Sequence, residues 1–453
     1  MPRRPALDVY LLPAVVGGGW GDIGEVRDAG EELHRAGFRP QVLRLGAAPW
    51  PREVTGPWGW TSIVRAEEIR PRSPRALTVS ACWGLAAAPH RSTALGRAGP
   101  WADEVVAIEA AYGPEHTLHV SLEEFARTLS SHDENRERFR EGGVGRRETS
   151  SRTRGAAGRA DRATWRRAFR LHRGLDRPNV LHLFATFSRS PGFGREFPEA
   201  VQVGPLWPTV SSPDRRARSA PSGHRPRVVL WYASPSSSPA IAPDLVRGLG
   251  RGSGPVRLDV RSPRPFSLAS TDRVDVRFIG PQPPASWSRR FAAADLRVVT
   301  GSRTLLEAID ARAPFLYFNG VLGTGRRRRR HRPEKVRALL SEWRRRRVDP
   351  VVVRDVEAFS RGQRVAEVAA RALFDRAWRS RFPSALGRAV SRLPDAGTVL
   401  GEVAREFARG DVPAPALVRA VRARLGGSGR RRSTVGLFKP GPVRLGRGGR
   451  RGG

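Results

Sequence analysis

A chain of 453 residues exceeds what one hydrophobic core usually holds, so two domains with appendages are expected. Hydrophobic content of 39%, with 12 Trp and 18 Phe, is enough for real cores, while the single cysteine, Cys82, excludes an internal disulfide and a cysteine-built metal site. Net charge is +38, and all but two of the 81 basic residues (Lys335 and Lys439) are arginine.

Such a charge attracts polyanions: nucleic acid, an anionic membrane surface or a nucleotide-charged substrate. The joint excess of Arg, Ala, Gly and Pro with little lysine also fits a coding bias, without selection for a nucleic-acid face. Apolar runs such as Ala6–Val16 are well short of the ~20 residues that span a bilayer. The basic-then-apolar start, MPRRPALDVYLLPAVV, has no small-residue cleavage site after it. A cytoplasmic protein is therefore expected, with peripheral attachment to an anionic membrane through basic loops as a further option.

Taken in order, residues 6 to 16 predict a buried first strand, followed by a Gly-rich loop at Gly17–Asp22. Ile23, Val26, Ala29, Gly30 and Leu33 then mark one face of a helix that stops at Gly37, and Asp22 and Glu25 have capping-box spacing. Gln41–Leu45 is a second strand. Strand, glycine turn, helix, strand is the opening of a nucleotide-type α/β domain. Residues 49 to 75 read as an irregular loop with a short strand at Ile63–Val64, and Leu77–Cys82 as a buried strand. Next come a helix over Trp101–Ala111, an extended His119–Leu122 and a helix over Glu123–Leu129, for which Ser121 and Glu124 suit the start. Glu141–Arg159 reads as a flexible polar insertion, Arg162–Leu175 as a helix and Asn179–Phe184 as a strand. The segment FPEAVQVGPLWP (Phe197–Pro208) is a strand closing on Gly204–Pro205, and Thr209–Pro226 is the best linker in the chain.

A second α/β pattern starts at strand Val228–Tyr232, with helix Ile241–Leu249, strands Arg257–Val260 and Val274–Ile279, and helix Ala285–Ala294. Its centre is strand Leu296–Val299, turn Thr300–Gly301–Ser302, helix Thr304–Ala311 and strand Phe315–Phe318. The first amides of that helix face outwards without partners, an arrangement that favours an anion. Taken alone it is also an ordinary βαβ corner. Beyond it lie an arginine run at Arg326–Arg330, His331, a helix over Pro333–Arg347 and a strand at Val351–Val353. Residues 363–425 read as helical, with breaks at Pro383, Pro394, Pro413 and Pro415, and residues 426–453 as a disordered basic tail.

Phe278–Ile279–Gly280–Pro281, Ala294–Asp295, Gly301, Thr304, Glu307–Ala308 and Pro314 follow one another in an order that resembles the carboxyl-terminal domain of nucleotide-sugar glycosyltransferases. These include the UDP-glycosyltransferases and the family 28 enzymes that act on lipid-linked acceptors. The resemblance implies an α/β fold of two Rossmann-like domains in the GT-B arrangement, with a helical C-terminal extension. The implied division is an acceptor-side domain over 1–208, a linker over 209–226, a nucleotide-sugar domain over 227–360, an extension over 361–425 and the tail over 426–453. It further implies transfer of a sugar from a nucleotide-diphospho-sugar, UDP-linked by expectation, with no separate cofactor and no metal.

On this resemblance Thr300, Gly301, Ser302 and Thr304 would hold the diphosphate, with Arg303 or Arg261 as helpers. Glu307 would accept ribose or sugar hydroxyls, and Ser234 and Ser236 are further phosphate candidates. Where the family often carries a histidine, this chain has Val299 before the turn and Asp22 after Gly21. Asp22, otherwise a helix-capping residue, would then be the general base. Two other readings stand beside this one. One is a basic nucleic-acid- or polyanion-binding protein working through its arginine loops and tail. The other is a GT-B-shaped protein without catalysis that binds a glycan or a partner.

Overall fold

The computed structural model describes residues 7–12, 21–44, 62–65, 68–81, 102–124, 178–189, 200–208, 226–233, 238–262, 266–280, 282, 284–318, 334–384 and 386–426. In the first unit the order is β1 (Asp8–Leu12), α1 (Gly21–Arg35), β2 (Pro40–Arg44), β3 (Ser62–Arg65), β4 (Ala76–Ala81), α2 (Ala102–Tyr112), β5 (Thr117–Glu124), β6 (Val180–Ala185) and β7 (Ala200–Val203). The seven strands form one parallel sheet ordered β3-β2-β1-β4-β5-β6-β7. Every residue of β1 and of β6 is buried, because helices cover both faces of a parallel sheet and leave no polar alternation to preserve. Val26, Ala29 and Leu33 put the apolar stripe of α1 into this core. The helix stops where expected: Gly37, at φ +95°, donates to the His34 carbonyl and Phe38 to that of Leu33, a Schellman ending.

A second parallel sheet follows, with β8 (Arg227–Tyr232), α3 (Ala242–Leu249), β9 (Val256–Arg261), β10 (Val274–Phe278), α4 (Pro284–Ala293), β11 (Leu296–Val299), α5 (Ser302–Asp310) and β12 (Phe315–Tyr317). Its order is β10-β9-β8-β11-β12. Arg297, fully buried in β11, donates to the Phe291 and Ala292 carbonyls and so satisfies the open end of α4. The chain continues through α6 (Glu334–Arg345), α7 (Pro350–Ser360), α8 (Val365–Phe374), α9 (Arg376–Arg381), α10 (Ala396–Arg409) and α11 (Ala414–Gly426).

The structure corrects two expectations. Val351–Val353 is no strand but the start of α7, since Asp349 accepts from the Val351 amide (2.8 Å) and Pro350 fills the first helical position. Ser121 and Glu124 do not begin a helix; both belong to β5, paired with β6 in the buried sheet. The helical C-terminal extension is present, and its helices divide between the two cores. Helices α8 and α9 join the second core, while α10 and α11 cross back and complete the first. The crossing is fixed at Gly204, whose amide donates to Pro394 and whose carbonyl accepts from Ala396. A Cβ there would stand 2.8 Å from the Leu393 carbonyl, so only glycine fits. Outside the described residues lie Ser234 and Ser236, the helix expected over 162–175, the insertion over 141–159, the linker up to residue 225, Arg326–Arg330 with His331, and residues 427–453.

Candidate functional site

Each sheet changes its winding direction once. In the first, the chain runs from β1 outward to β2 and β3, then restarts at β4 on the other side. In the second it runs from β8 to β9 and β10, then restarts at β11. Crevices at the carboxyl ends of strands open at such switch points. The helix leaving β1 is α1 and the helix leaving β11 is α5, and these two touch each other across the domain boundary.

At the end of β11, Thr300 is buried and Gly301 caps α5 in an extended conformation (φ −88°, ψ 166°). The Thr304 hydroxyl turns back on Gly301, accepting from its amide and donating to its carbonyl, both at 3.2 Å. This bond rigidifies the turn. By helix geometry the amides of Ser302, Arg303 and Thr304 have no carbonyl four residues behind them within α5, and their partial positive charge is the anion-favouring feature of the site. Thr300, Gly301, Ser302 and Thr304 therefore come together as one turn, as the sequence predicts.

Arg303 lies elsewhere than over that turn. Its guanidinium is bidentate to Asp28 of α1, through Nη1 and through Nη2 at 3.3 Å, and its Nε donates to Glu307 at 3.1 Å. Asp28 is 2% exposed. The other oxygen of Glu307 accepts from the Trp287 indole at 3.0 Å. Trp287 is in turn covered by Arg261, whose guanidinium carbon stands 4.6 Å from the ring centre, with Tyr232 edge-on at 6.0 Å. Burial lowers the pKa of Arg261 and raises that of Tyr232. Burial likewise lowers that of Arg27, and the neighbouring Arg303 charge lowers it further. Guanidinium groups nevertheless remain cationic at neutral pH. The result is a chain of polar contacts, Trp287–Glu307–Arg303–Asp28, running from the second domain into the first.

No protein-family model matches the chain, and no curated protein matches it. Among solved structures, Phytolacca americana UGT2 complexed with UDP-2-fluoro-glucose and pterostilbene shares 14% identity, over 93% of this chain and 100% of that one, with a TM-score of 0.46. CalG4, the calicheamicin glycosyltransferase, shares 12% over 94% and 100%, with a TM-score of 0.43. A structure described for EarP-mediated arginine glycosylation of translation elongation factor EF-P shares 18% over 41% and 61%, with a TM-score of 0.30. In this chain, two parallel-sheet domains stand with α10 and α11 returned to the first. This is the GT-B fold.

Within that fold, Asp22 occupies the first turn of α1, two residues before Gly24, while Arg261 ends β9. Three residues of this region carried no reading from sequence: Gly24, Asp28 and Trp287. Gly24 had a signal, since a glycine inside a helix marks a close approach. Here the approaching group is the Arg303 side chain, which a Cβ at 24 would meet at 2.5 to 2.8 Å. Among the described residues, no group of three His, Cys, Asp or Glu side chains is placed to hold a metal ion, and no helix is long and apolar enough to cross a membrane.

Proposed function

We propose that this protein is a glycosyltransferase that takes a nucleotide-diphospho-sugar, UDP-linked, into the crevice between its two domains. The observation that carries the reading is the position of the Thr300–Ser302 turn, with its outward amides, at the switch point of the second sheet and beside α1 of the first.

Glycosyl transfer develops negative charge on the departing diphosphate, and preorganised amides stabilise such charge without reorganisation. The amides of Ser302, Arg303 and Thr304 would take up the diphosphate, with Arg261 as the nearby cation and Ser234 and Ser236 as further hydroxyls. Glu307 would orient ribose or sugar hydroxyls, since its contacts with Trp287 and Arg303 fix the carboxylate. Asp22, on the N-terminal turn of α1, would remove the acceptor hydroxyl proton.

A thermal-shift panel tests this. UDP, ADP, GDP, dTDP and their common sugar derivatives are compared, because a ligand that binds only the native state raises its Tm. At least one diphosphate should stabilise the wild type, and Glu307→Ala should lose most of the shift given by its sugar derivative. A panel without any stabilising nucleotide sinks the reading.

A further inference from the structure

We propose that Asp28, in the first domain, is a positioning residue for the diphosphate site of the second, acting through Arg303. The inference rests on the donor site proposed above. Arg303 contributes one of the open amides of α5, and its side chain is held from both domains. Asp28 grips the guanidinium with both oxygens, Glu307 accepts from Nε, and α1 offers Gly24 as the surface on which the side chain lies. A bidentate arginine–carboxylate pair fixes direction as well as distance. Burial of Asp28 keeps water and salt from weakening it. The first turn of α5 and the Glu307 carboxylate are thereby aligned by a residue that belongs to the opposite lobe. Nucleotide affinity, a property of the second domain, then depends on a carboxylate of the first.

Two substitutions disturb this hold by different routes. Asp28→Asn removes the charge at constant shape. Gly24→Ala leaves every charge in place but drives the flexible end of Arg303 away, while adding a residue that favours a helix. Affinity for UDP, or for whichever of ADP, GDP and dTDP the wild type binds, is measured by titration calorimetry for both variants, alone and combined with Arg303→Met. Each single change should weaken binding about tenfold, and neither should weaken it more than about twofold further once residue 303 is Met. Ligand-free Tm values are recorded beside them. Unchanged or tighter binding in both single variants, or equal losses with and without Arg303, overturns the positioning role while leaving the donor site standing. A wild type that binds none of the four diphosphates overturns both.

Discussion

Gly301 and Gly204 look alike in sequence, but the structure asks different things of them. At Gly204 a side chain would collide with backbone, so the glycine is a requirement of the fold. At Gly301 the backbone is extended, and among the described residues a Cβ would touch the Thr304 hydroxyl alone, at an ordinary 3.5 Å. Among the described residues, no close contact requires a glycine there. Its place at the helix N-cap is one physical reason for a glycine, and close approach by a ligand is a second. Gly301→Val should therefore cost no more than about 1 kcal/mol of denaturant stability, the usual loss when an apolar residue replaces a helix N-cap. The same variant should lose diphosphate binding in calorimetry. Wild-type affinity would move the site away from this turn. The turn itself was readable because strand, turn and helix are adjacent in sequence. The Asp28–Arg303 pair was not, since 275 positions separate its members and no local pattern links them.

Among the elements, α7 teaches most. Three successive valines favour a strand, yet Asp349 and Pro350 immediately before them are a cap and a first-turn residue. End chemistry prevails because the cap satisfies amides that would otherwise be bare, and Val352, Val353 and Val356 still reach the core. Asp349→Ala should cost about 1 kcal/mol in urea unfolding. A strand reading would have given no loss at that position. The misread start at Ser121 has the opposite origin. Serine followed three residues later by glutamate is a weak local signal, and the sheet on either side of β5 overrides it.

For the molecule as a whole, the two α/β halves and most of their strands were legible, because most strands are short apolar runs and most helices carry one apolar face. Where the last two helices go was not legible: an amphipathic helix declares that it packs, not against what. Part of the arginine excess also has a structural use that composition hid. Arg75 donates to the carbonyls of Phe407 in the last turn of α10 and of Gly410 and Val412 just beyond it, and lies 4.9 Å over the Phe407 ring. Arg189 donates to the Leu425 carbonyl in α11, and Arg422 of that helix donates back to Val180. Arginine here, buried at Arg75 and more exposed at Arg189 and Arg422, closes helix ends and fastens the returning segment to the first sheet. A chain ending at residue 385 should accordingly retain a protected second domain in limited proteolysis and lose the first. Equal protection of both would show that α10 and α11 are dispensable.

The return of α10 and α11 gives the chain an awkward order of manufacture. During translation the opening sheet leaves the ribosome early, whereas the helices that cover it emerge some two hundred residues later, after an entire second lobe has been made. The lobe encoded last in its main part can finish first. The amino-terminal half must wait, apolar strands uncovered, and a chaperone that binds nascent chains would meet it in that interval.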